Sequence, residues 1–148
     1  MILHELTIDE LTKKLASKEV SSRDAMQACL DRIDDIDNSI NAFISLDREN
    51  ALDQADAADS ALKNGANHND HPLLGVPVSL KDIFCVKNQP ANCASKILGD
   101  FRSPYDGSVV QKLKQAGAVI FGRVNMDEFA MGSSTENSAF GRTSNPWD

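Results

Sequence analysis

The stretch Gly75-Val76-Pro77-Val78-Ser79-Leu80-Lys81-Asp82 indicates a β-strand in the middle of this chain. Apolar residues alternate with Ser79 and Lys81, which is the period of two shown by a strand with one apolar face. Pro77 has no N–H group to donate to a neighbouring strand, so it favours the start of a strand or the edge of a sheet. We predict a strand from Gly75 to Leu80, with Ser79 and Lys81 on the same face.

A helix and a second strand are predicted downstream. The helix opens at Asp106 or Ser108, and Gly117 closes it. The apolar run Ala118–Phe121 fits a strand of a sheet that is covered on both faces. Asn125 can then cap a short helical turn, with the acids Asp127 and Glu128 favourably placed in its first turn.

The segment upstream of Gly75 is predicted to be mostly helical. Thr7 and Glu10 have the spacing of a capping box, in which two side chains satisfy free N–H groups at a helix start. Apolar residues at intervals of three and four continue the helical pattern. The predicted elements are a helix from Ile8 to about Ser17, a helix from Ser21 or Ser22 to Ile40, a strand Ala42–Leu46, and a helix Ala51–Leu62 between an Asp47 cap and Asn64-Gly65.

This order of elements predicts the fold class. Helices come first, followed by strand, helix, strand and helical turn, which is the pattern of an α/β protein whose sheet is covered by helices. We assign residues 1–66 to a helical part and residues 72–148 to the start of a sheet core, both within one domain.

The composition argues against several classes of protein. Hydrophobic residues make up 41% of the 148 residues and charged residues 25%, which is typical of a folded soluble domain. The formal net charge of -7 repels phosphates, so direct binding of nucleic acid is not expected. Three cysteines without a CxxC pair predict reduced thiols and no metal site. No membrane span or secretory signal is visible, so we predict a cytoplasmic protein.

Lys81 is the first candidate for chemistry. It ends an apolar, alternating segment, and an apolar setting disfavours a charged ammonium group. A lysine that is neutral near pH 7 can act as a general base. The alternative is a structural lysine that extends its charge into solvent at a strand end or pairs with Asp82.

The loop Gly132-Ser133-Ser134-Thr135 is the second candidate, at the start of a long stretch without periodicity, residues 132–147. Loops of this length are usually functional or held in place by something else. A turn of this composition can direct several backbone N–H groups into one concavity that suits an oxygen-rich substrate group. The alternative is that its hydroxyl groups cap the local backbone.

No nucleophile is evident from the residues alone. Ser79 shares the strand face of Lys81, but there is no GxSxG-type elbow around it. Cys85 and Cys93 have no histidine context that would activate a thiol. The histidines His4, His68 and His71 fall in segments predicted to lie at the surface.

Six motifs of the chain are characteristic: His71–Asp82, Cys93–Lys96, Tyr105-Asp106, Asn125–Ser138, Phe140-Gly141 and Asn145–Trp147. They resemble motifs of the amidase-signature family, and the longest, Asn125–Ser138, resembles in particular the A subunits of glutamine-dependent tRNA amidotransferases. The resemblance covers essentially the whole chain.

The resemblance implies a fold and a set of site residues. The family has a mixed sheet sandwiched between helices and hydrolyses amides with a Ser–cis-Ser–Lys triad. Lys81 matches the triad lysine, and the loop formed by Ala130, Met131, Gly132, Ser133 and Ser134 matches a segment that lines the acyl pocket. The segment that holds both triad serines normally follows the Asn-Pro-Trp motif, so we expect both serines beyond residue 148 and interpret the chain as an N-terminal portion.

The resemblance also implies a substrate and partners. In the amidotransferases, the A subunit hydrolyses the side-chain amide of glutamine, and the ammonia converts Glu-tRNA(Gln), or Asp-tRNA(Asn) in some organisms, on the B subunit. We therefore expect a heterotrimer with B and C subunits, contact with tRNA mainly through a partner subunit, and no cofactor in this subunit, since ATP and Mg²⁺ are used by the partner. The alternatives are another amidase of the same family and a binding protein without catalytic activity.

Overall fold

The computed structural model describes residues 2–147, so the predicted domain limits at residues 1 and 148 lie outside the described range. The helices and strands confirm the α/β class. The helices are α1 (Ile8–Ala16), α2 (Ser22–Ile40), α3 (Arg48–Lys63) and α4 (Ser108–Gln115), the strands are β1 (Phe43–Ser45), β2 (Pro77–Lys81) and β3 (Val119–Val124), and 3-10 turns lie at Leu3–Glu5 and Glu128–Ala130.

The predicted helix ends agree with the structure where a capping residue marked them. Thr7 and Glu10 form the capping box at the start of α1, with the Thr7 N–H donating to Glu10 Oε2 over 2.8 Å. The Asp47 side chain accepts a hydrogen bond from the N–H of Asn50 and caps α3, which begins three residues earlier than the apolar pattern indicated. Local hydrogen bonding therefore fixes these ends more reliably than hydrophobic spacing does.

The strands form a mixed sheet in the order β1-β3-β2. β1 is antiparallel to β3, with Phe43 opposite Val124. The N–H of Val119 donates to the carbonyl of Val76 over 2.9 Å, and the N–H of Asp82 donates to the carbonyl of Val124 over 3.1 Å. Both bonds advance in the same direction, so β2 is parallel to β3. Within residues 2–147, β2 begins at Pro77 and lies at an edge of the sheet, as Pro77 predicted.

β3 extends three residues beyond its predicted end at Phe121. The apolar run stops there because Gly122 and Arg123 follow, yet both residues are buried in the strand. A Cβ atom on Gly122 would lie 2.7 Å from Cε1 of Phe43, so only glycine allows β1 to approach this closely. The apolar pattern did not predict this extension because neither residue is apolar in the usual sense. Gly122 is required by the close approach of β1, and Arg123 is a buried charged residue.

The described residues divide into two compact units that alternate along the chain. The first unit contains the residues up to Asp35, Asp47–Val78 and Lys112–Phe121. The second unit contains Ile36–Leu46, Ser79–Gln111 and the residues from Gly122 onward. The assignment of the whole chain to one domain stays a prediction.

The first unit is built on a small apolar core. Its buried members come from α1, α2 and the approach to β2, and leucines from neighbouring segments pack against them. The core residues are Leu11, Leu15, Ala25 and Val76, with Leu6, Leu62, Leu73 and Val78 around them. The Ser22 hydroxyl donates to the carbonyl of Gly75 over 2.8 Å, and Gln54 of α3 both donates to and accepts from the backbone of Ile120. Side-chain hydrogen bonds thus fix the helices of this unit to its strand segments.

The long stretch without periodicity near the end of the chain lies in the second unit, where hydrogen bonds hold it. The Asn125 side-chain amide donates to the carbonyl of Gly141 over 2.8 Å and to Thr143 Oγ1 over 3.2 Å. The N–H of Ser144 donates to the carbonyl of Ile40 over 2.8 Å. This loop is therefore held by side-chain hydrogen bonds and isolated backbone hydrogen bonds rather than by regular secondary structure.

None of the helices within residues 2–147 has the length and apolar character that a membrane crossing requires.

Candidate active site

Lys81 is the last residue of β2, and its side chain is exposed. Ser79 is exposed on the same face, whereas Leu80 between them is buried, which confirms the predicted alternation. Within the described residues, Lys81 does not have the expected apolar setting. The reason is the strand period itself, because the apolar neighbours of Lys81 point to the opposite face.

Asp82 lies directly after β2 and is buried, with 1% of its surface exposed. Its Oδ2 atom accepts the N–H of Ala94 over 3.1 Å, and its carbonyl accepts the N–H of Cys93 over 3.4 Å. Cys93 and Ala94 both have left-handed backbone angles, with φ values of 52° and 51°. The alternative for Lys81 was an ion pair with Asp82. No such ion pair is found within residues 2–147. Asp82 instead holds a strained turn against the end of the strand.

Arg123 brings a second buried charge close to Asp82, on the neighbouring strand β3. It is 3% exposed, and its Nη1 atom donates to the carbonyl of Phe84 over 2.6 Å. Four buried side-chain atoms in residues 2–147 have no hydrogen-bond partner there: Asp82 Oδ1, Asn92 Oδ1, Arg123 Nε and Arg123 Nη2. Buried polar atoms without partners are uncommon in proteins, and here two acceptors and two donors share one region.

Burial disfavours the charged form of both groups. Burial raises the pKa of Asp82, although the N–H of Ala94 and the positive charge of Arg123 act in the opposite direction. Burial likewise lowers the pKa of Arg123, and the negative charge of Asp82 partly opposes this shift. Such paired, buried charges often lie next to functional sites, because a structure without a use for them gains more from apolar packing.

Asp127 is the third buried charged residue of the second unit within residues 2–147, after Asp82 and Arg123. Its Oδ2 atom accepts the N–H groups of Ser134 and Thr135, each over 2.9 Å, and its Oδ1 atom accepts the N–H of Asn137 over 3.0 Å. These hydrogen bonds lower the pKa of Asp127, with Asn137 and Thr135 contributing most, ahead of Ser134 and the nearby positive charge of Lys81. A carboxylate held by several N–H groups remains ionised well below neutral pH.

The loop 130–134 is mostly exposed. Ala130 is half-buried, Met131 is 81% exposed, and Gly132, Ser133 and Ser134 are exposed. Phe129 and Ala130 have left-handed φ values of 53° and 61°, so the entry to the loop is strained.

The predicted concavity of N–H groups exists, but its occupant differs from the expected one. The N–H groups of Ser134 and Thr135 point at the Asp127 carboxylate, so they are not free to bind a substrate. The hydroxyl of Thr135 donates to the carbonyl of Ser134 over 2.6 Å, which is the local capping we gave as the alternative. The turn therefore binds an internal acid rather than offering these two donors to a ligand.

Cysteine and histidine side chains do not form a nucleophilic site in residues 2–147. Burial raises the pKa of the Cys93 thiol, and the negative charge of Asp82 adds to this, so the reactive thiolate is disfavoured. His68 Nε2 lies 3.0 Å from the carbonyl of Leu74, and His71 Nδ1 lies 2.9 Å from that of Gln115. Within the described residues, no group of three or more His, Cys, Asp or Glu side chains is arranged to hold a metal ion.

Sequence comparison identifies the class of protein to which this fold and these motifs belong. The sequence model of the Amidase family matches residues 24–148. The chain therefore belongs to the amidase family.

The relatives of the chain include components of a particular enzyme. It is 52% identical over its full length to the glutamyl-tRNA(Gln) amidotransferase A subunit of Desulfatibacillum aliphaticivorans, and 54% identical to that of Geobacter sulfurreducens. All 148 residues align in both cases, and they cover 30% of each relative. The chain thus spans about a third of the length of these curated relatives.

Solved structures share the fold. The peptide amidase of Stenotrophomonas maltophilia superimposes with a TM-score of 0.87 at 31% identity, over 97% of this chain and 30% of the amidase. The glutamyl-tRNA(Gln) amidotransferase A subunit of Thermotoga maritima superimposes with a TM-score of 0.75 at 37% identity, over 99% of this chain and 28% of the Thermotoga protein. The expected amidase-signature fold is confirmed.

Proposed function

We propose that this chain is the N-terminal part of a glutamine-hydrolysing subunit of a tRNA-dependent amidotransferase. One observation carries the proposal. All 148 residues of this chain align, with 52% and 54% identical residues, to two relatives named as the A subunit of that enzyme. Residues 1–148 then supply the lysine of the active site and the loop that lines the acyl pocket.

In this proposal, Lys81 acts as the general base of a Ser–cis-Ser–Lys triad. A nucleophilic serine attacks the carbon of the side-chain amide, and its proton passes through the bridging serine to the Lys81 amine. The same proton returns to the leaving nitrogen, which departs as ammonia, and water then hydrolyses the acyl-enzyme. Both serines belong to a part of the protein beyond residue 148, as the resemblance implies.

Two features of the second unit support this role for Lys81. The exposed end of β2 leaves the ammonium group open to contact with another segment of the protein. Hydrogen bonds from Asn137 and Thr135 chiefly lower the pKa of Asp127, and the positive charge of Lys81 makes a smaller contribution in the same direction. The loop that Asp127 holds through the N–H groups of Ser134 and Thr135 therefore lies within electrostatic range of Lys81, which supports placing both in one active site.

Lys81 does not need a fully apolar pocket built from residues 1–148 alone in order to act as a base. Covering Lys81 with the serine-bearing segment removes water from the amine and disfavours its charged form. We propose that the apolar setting expected from the sequence is completed in this way.

The remaining assignments follow from the same proposal. The substrate is glutamine, the partners are B and C subunits in a heterotrimer, and tRNA is contacted mainly through one of these partners. ATP and Mg²⁺ are used by the partner, so the glutamine-hydrolysing component needs no cofactor of its own. Such an enzyme works in the cytoplasm.

A second candidate is amide hydrolysis without an amidotransferase complex. It is favoured by the higher TM-score to the peptide amidase, 0.87 against 0.75 for the Thermotoga protein. The difference concerns backbone geometry only, and the sequence identities run in the opposite order. We therefore place glutamine first and a peptide amide second.

The test is ammonia release by the full-length protein, meaning the complete product of the reading frame that contains these residues. It is assayed with glutamine and, separately, with a C-terminally amidated peptide. We expect turnover of glutamine and little turnover of the peptide amide. Preference for the peptide amide supports the second candidate, and no turnover of either substrate contradicts both.

A further inference from the structure

The Asp127 carboxylate is enclosed by the chain that follows it. Three backbone N–H groups, those of Ser134, Thr135 and Asn137, donate to its two oxygens over 2.9 to 3.0 Å. The residue is 4% exposed. Charge-assisted hydrogen bonds of this kind are stronger than neutral ones, so they define the path of the backbone from residue 134 to residue 137.

Gly132 packs directly on this carboxylate. A Cβ atom on Gly132 would lie 2.5 Å from Cγ of Asp127 and 2.7 Å from its Oδ2 atom. Real Cβ atoms do not approach other atoms so closely, and the acid cannot retreat without breaking its hydrogen bonds. The loop thus touches Asp127 at two places, through the contact of Gly132 and through the N–H groups of residues 134–137.

The loop also contains N–H groups that Asp127 does not take. Within residues 2–147, the N–H groups of Gly132 and Ser133 donate to no other residue, and both residues are exposed. By contrast, the N–H groups of Ala130 and Met131 donate to the carbonyls of Asp127 and Glu128. The two unengaged donors therefore lie between two anchored segments, which is a preorganised arrangement for accepting a substrate oxygen.

We propose that Asp127 is a positioning residue that sets the geometry of the substrate loop, so that the N–H groups of Gly132 and Ser133 bind an oxygen of the substrate's acyl portion. The inference rests on the proposed function and deepens it. Asp127 itself does not contact the substrate, because its oxygens are taken by the loop backbone. Its loss displaces the loop and weakens substrate binding while the chemical groups of the triad stay in place.

The experiment compares Asp127→Asn with a matched control, Glu136→Gln, in the full-length protein. Both variants replace one carboxylate by an amide in the same loop, but Glu136 is exposed and its side chain holds no backbone N–H group within residues 2–147. Asparagine presents an NH₂ group to N–H donors, so at least one of the three hydrogen bonds is lost. We expect the KM for glutamine to rise about 10-fold or more in Asp127→Asn, with kcat reduced less, and no change in Glu136→Gln.

A second variant separates positioning from loss of charge and protects the test against misfolding. Gly132→Ala keeps the Asp127 carboxylate but forces the loop away from it, so it should also raise KM about 10-fold. The melting temperatures of all variants are measured alongside the kinetics. A rise in KM in a folded Asp127→Asn or Gly132→Ala variant supports the proposal.

Several outcomes contradict the proposal. An unchanged KM in Gly132→Ala overturns it, and so does an activity loss in Asp127→Asn that only follows the folded fraction. An equal effect in Glu136→Gln shows that charge rather than positioning matters. If the unmodified protein hydrolyses no amide, the proposed function fails first, which distinguishes that failure from the failure of this inference.

Discussion

Asp82 and Arg123 carry opposite charges into the interior of the second unit without forming a direct ion pair. Each is held by backbone groups instead, Asp82 Oδ2 by the N–H of Ala94 and Arg123 Nη1 by the carbonyl of Phe84. Burial raises the pKa of Asp82 and lowers the pKa of Arg123, which favours the neutral form of each group. The charge of the other group opposes the shift in both cases. The two residues therefore depend on each other electrostatically, although no ion pair joins them.

This dependence predicts non-additive effects on stability. In the full-length protein, Asp82→Asn leaves Arg123 buried without a counter-charge. Likewise, Arg123→Met leaves Asp82 buried without a counter-charge. We expect each single change to lower the free energy of unfolding by about 3 kcal/mol. The double variant should cost less than the sum of the single changes by about 1 kcal/mol or more, because it leaves no uncompensated charge.

The measurement is a double-mutant cycle by denaturant unfolding. A matched control is the exposed pair Lys13 and Asp9 of α1, whose ammonium and carboxylate lie 2.7 Å apart. Exposed pairs contribute little, so their coupling should be a few tenths of a kcal/mol. Additive effects of Asp82→Asn and Arg123→Met would show that the two charges are independent.

Asp127 predicts a pH dependence with a defined sign. Its pKa is lowered in the folded protein, chiefly by the N–H groups of Asn137 and Thr135. The stabilisation from its hydrogen bonds is therefore fully present above the usual aspartate pKa of about 3.9, and is lost as the pH falls through the lowered value. NMR amide proton shifts of Thr135 and Asn137 should titrate with a midpoint below about 3.9, and this transition should vanish in Asp127→Asn. A midpoint at or above that value contradicts the hydrogen-bonded carboxylate.

Two glycines of the first unit predict different costs for the same substitution. Gly117 has a φ of 87°, and a Cβ atom there would lie 2.7 Å from Cα of Leu74. Gly65 has a φ of 97°, but a Cβ atom there would meet no atom within 4 Å. Left-handed backbone costs an alanine about 1 to 2 kcal/mol in either place, and overlap with Leu74 adds about 1 to 3 kcal/mol in Gly117→Ala. Thermal unfolding of both variants checks the order, and equal losses would contradict the close approach of Leu74.

Much of the fold followed from local signals in the sequence. The capping box of Thr7 and Glu10, the Asp47 cap and the alternation of Ser79 and Lys81 each depend on groups a few residues apart, so spacing alone reveals them. The amidase motifs added the family and the mixed sheet. These features required no knowledge of which distant segments meet.

The supports of the candidate site depend on distant contacts, so the sequence pattern could not reveal them. The predicted strand ends at Phe121 because the charged Arg123 interrupts the apolar pattern, yet Arg123 belongs to β3. Its burial near Asp82, which marks it as a support of the candidate site, is visible only in the structure. Asp127 looked like an acid in the first turn of a helix, whereas its carboxylate binds backbone groups seven to ten residues later. An aspartate followed by a run of glycine, serine and threonine is the local signal that could have indicated such a turn.

Lys81 is the residue on which amide hydrolysis by the proposed site depends most. The most direct measurement is glutamine hydrolysis by the full-length protein carrying Lys81→Ala, with Lys87→Ala as a matched control because Lys87 is also exposed. We predict that Lys81→Ala lowers kcat by several orders of magnitude, about 10³-fold or more, while Lys87→Ala retains normal turnover. Near-normal hydrolysis of glutamine by the Lys81→Ala variant would contradict the account.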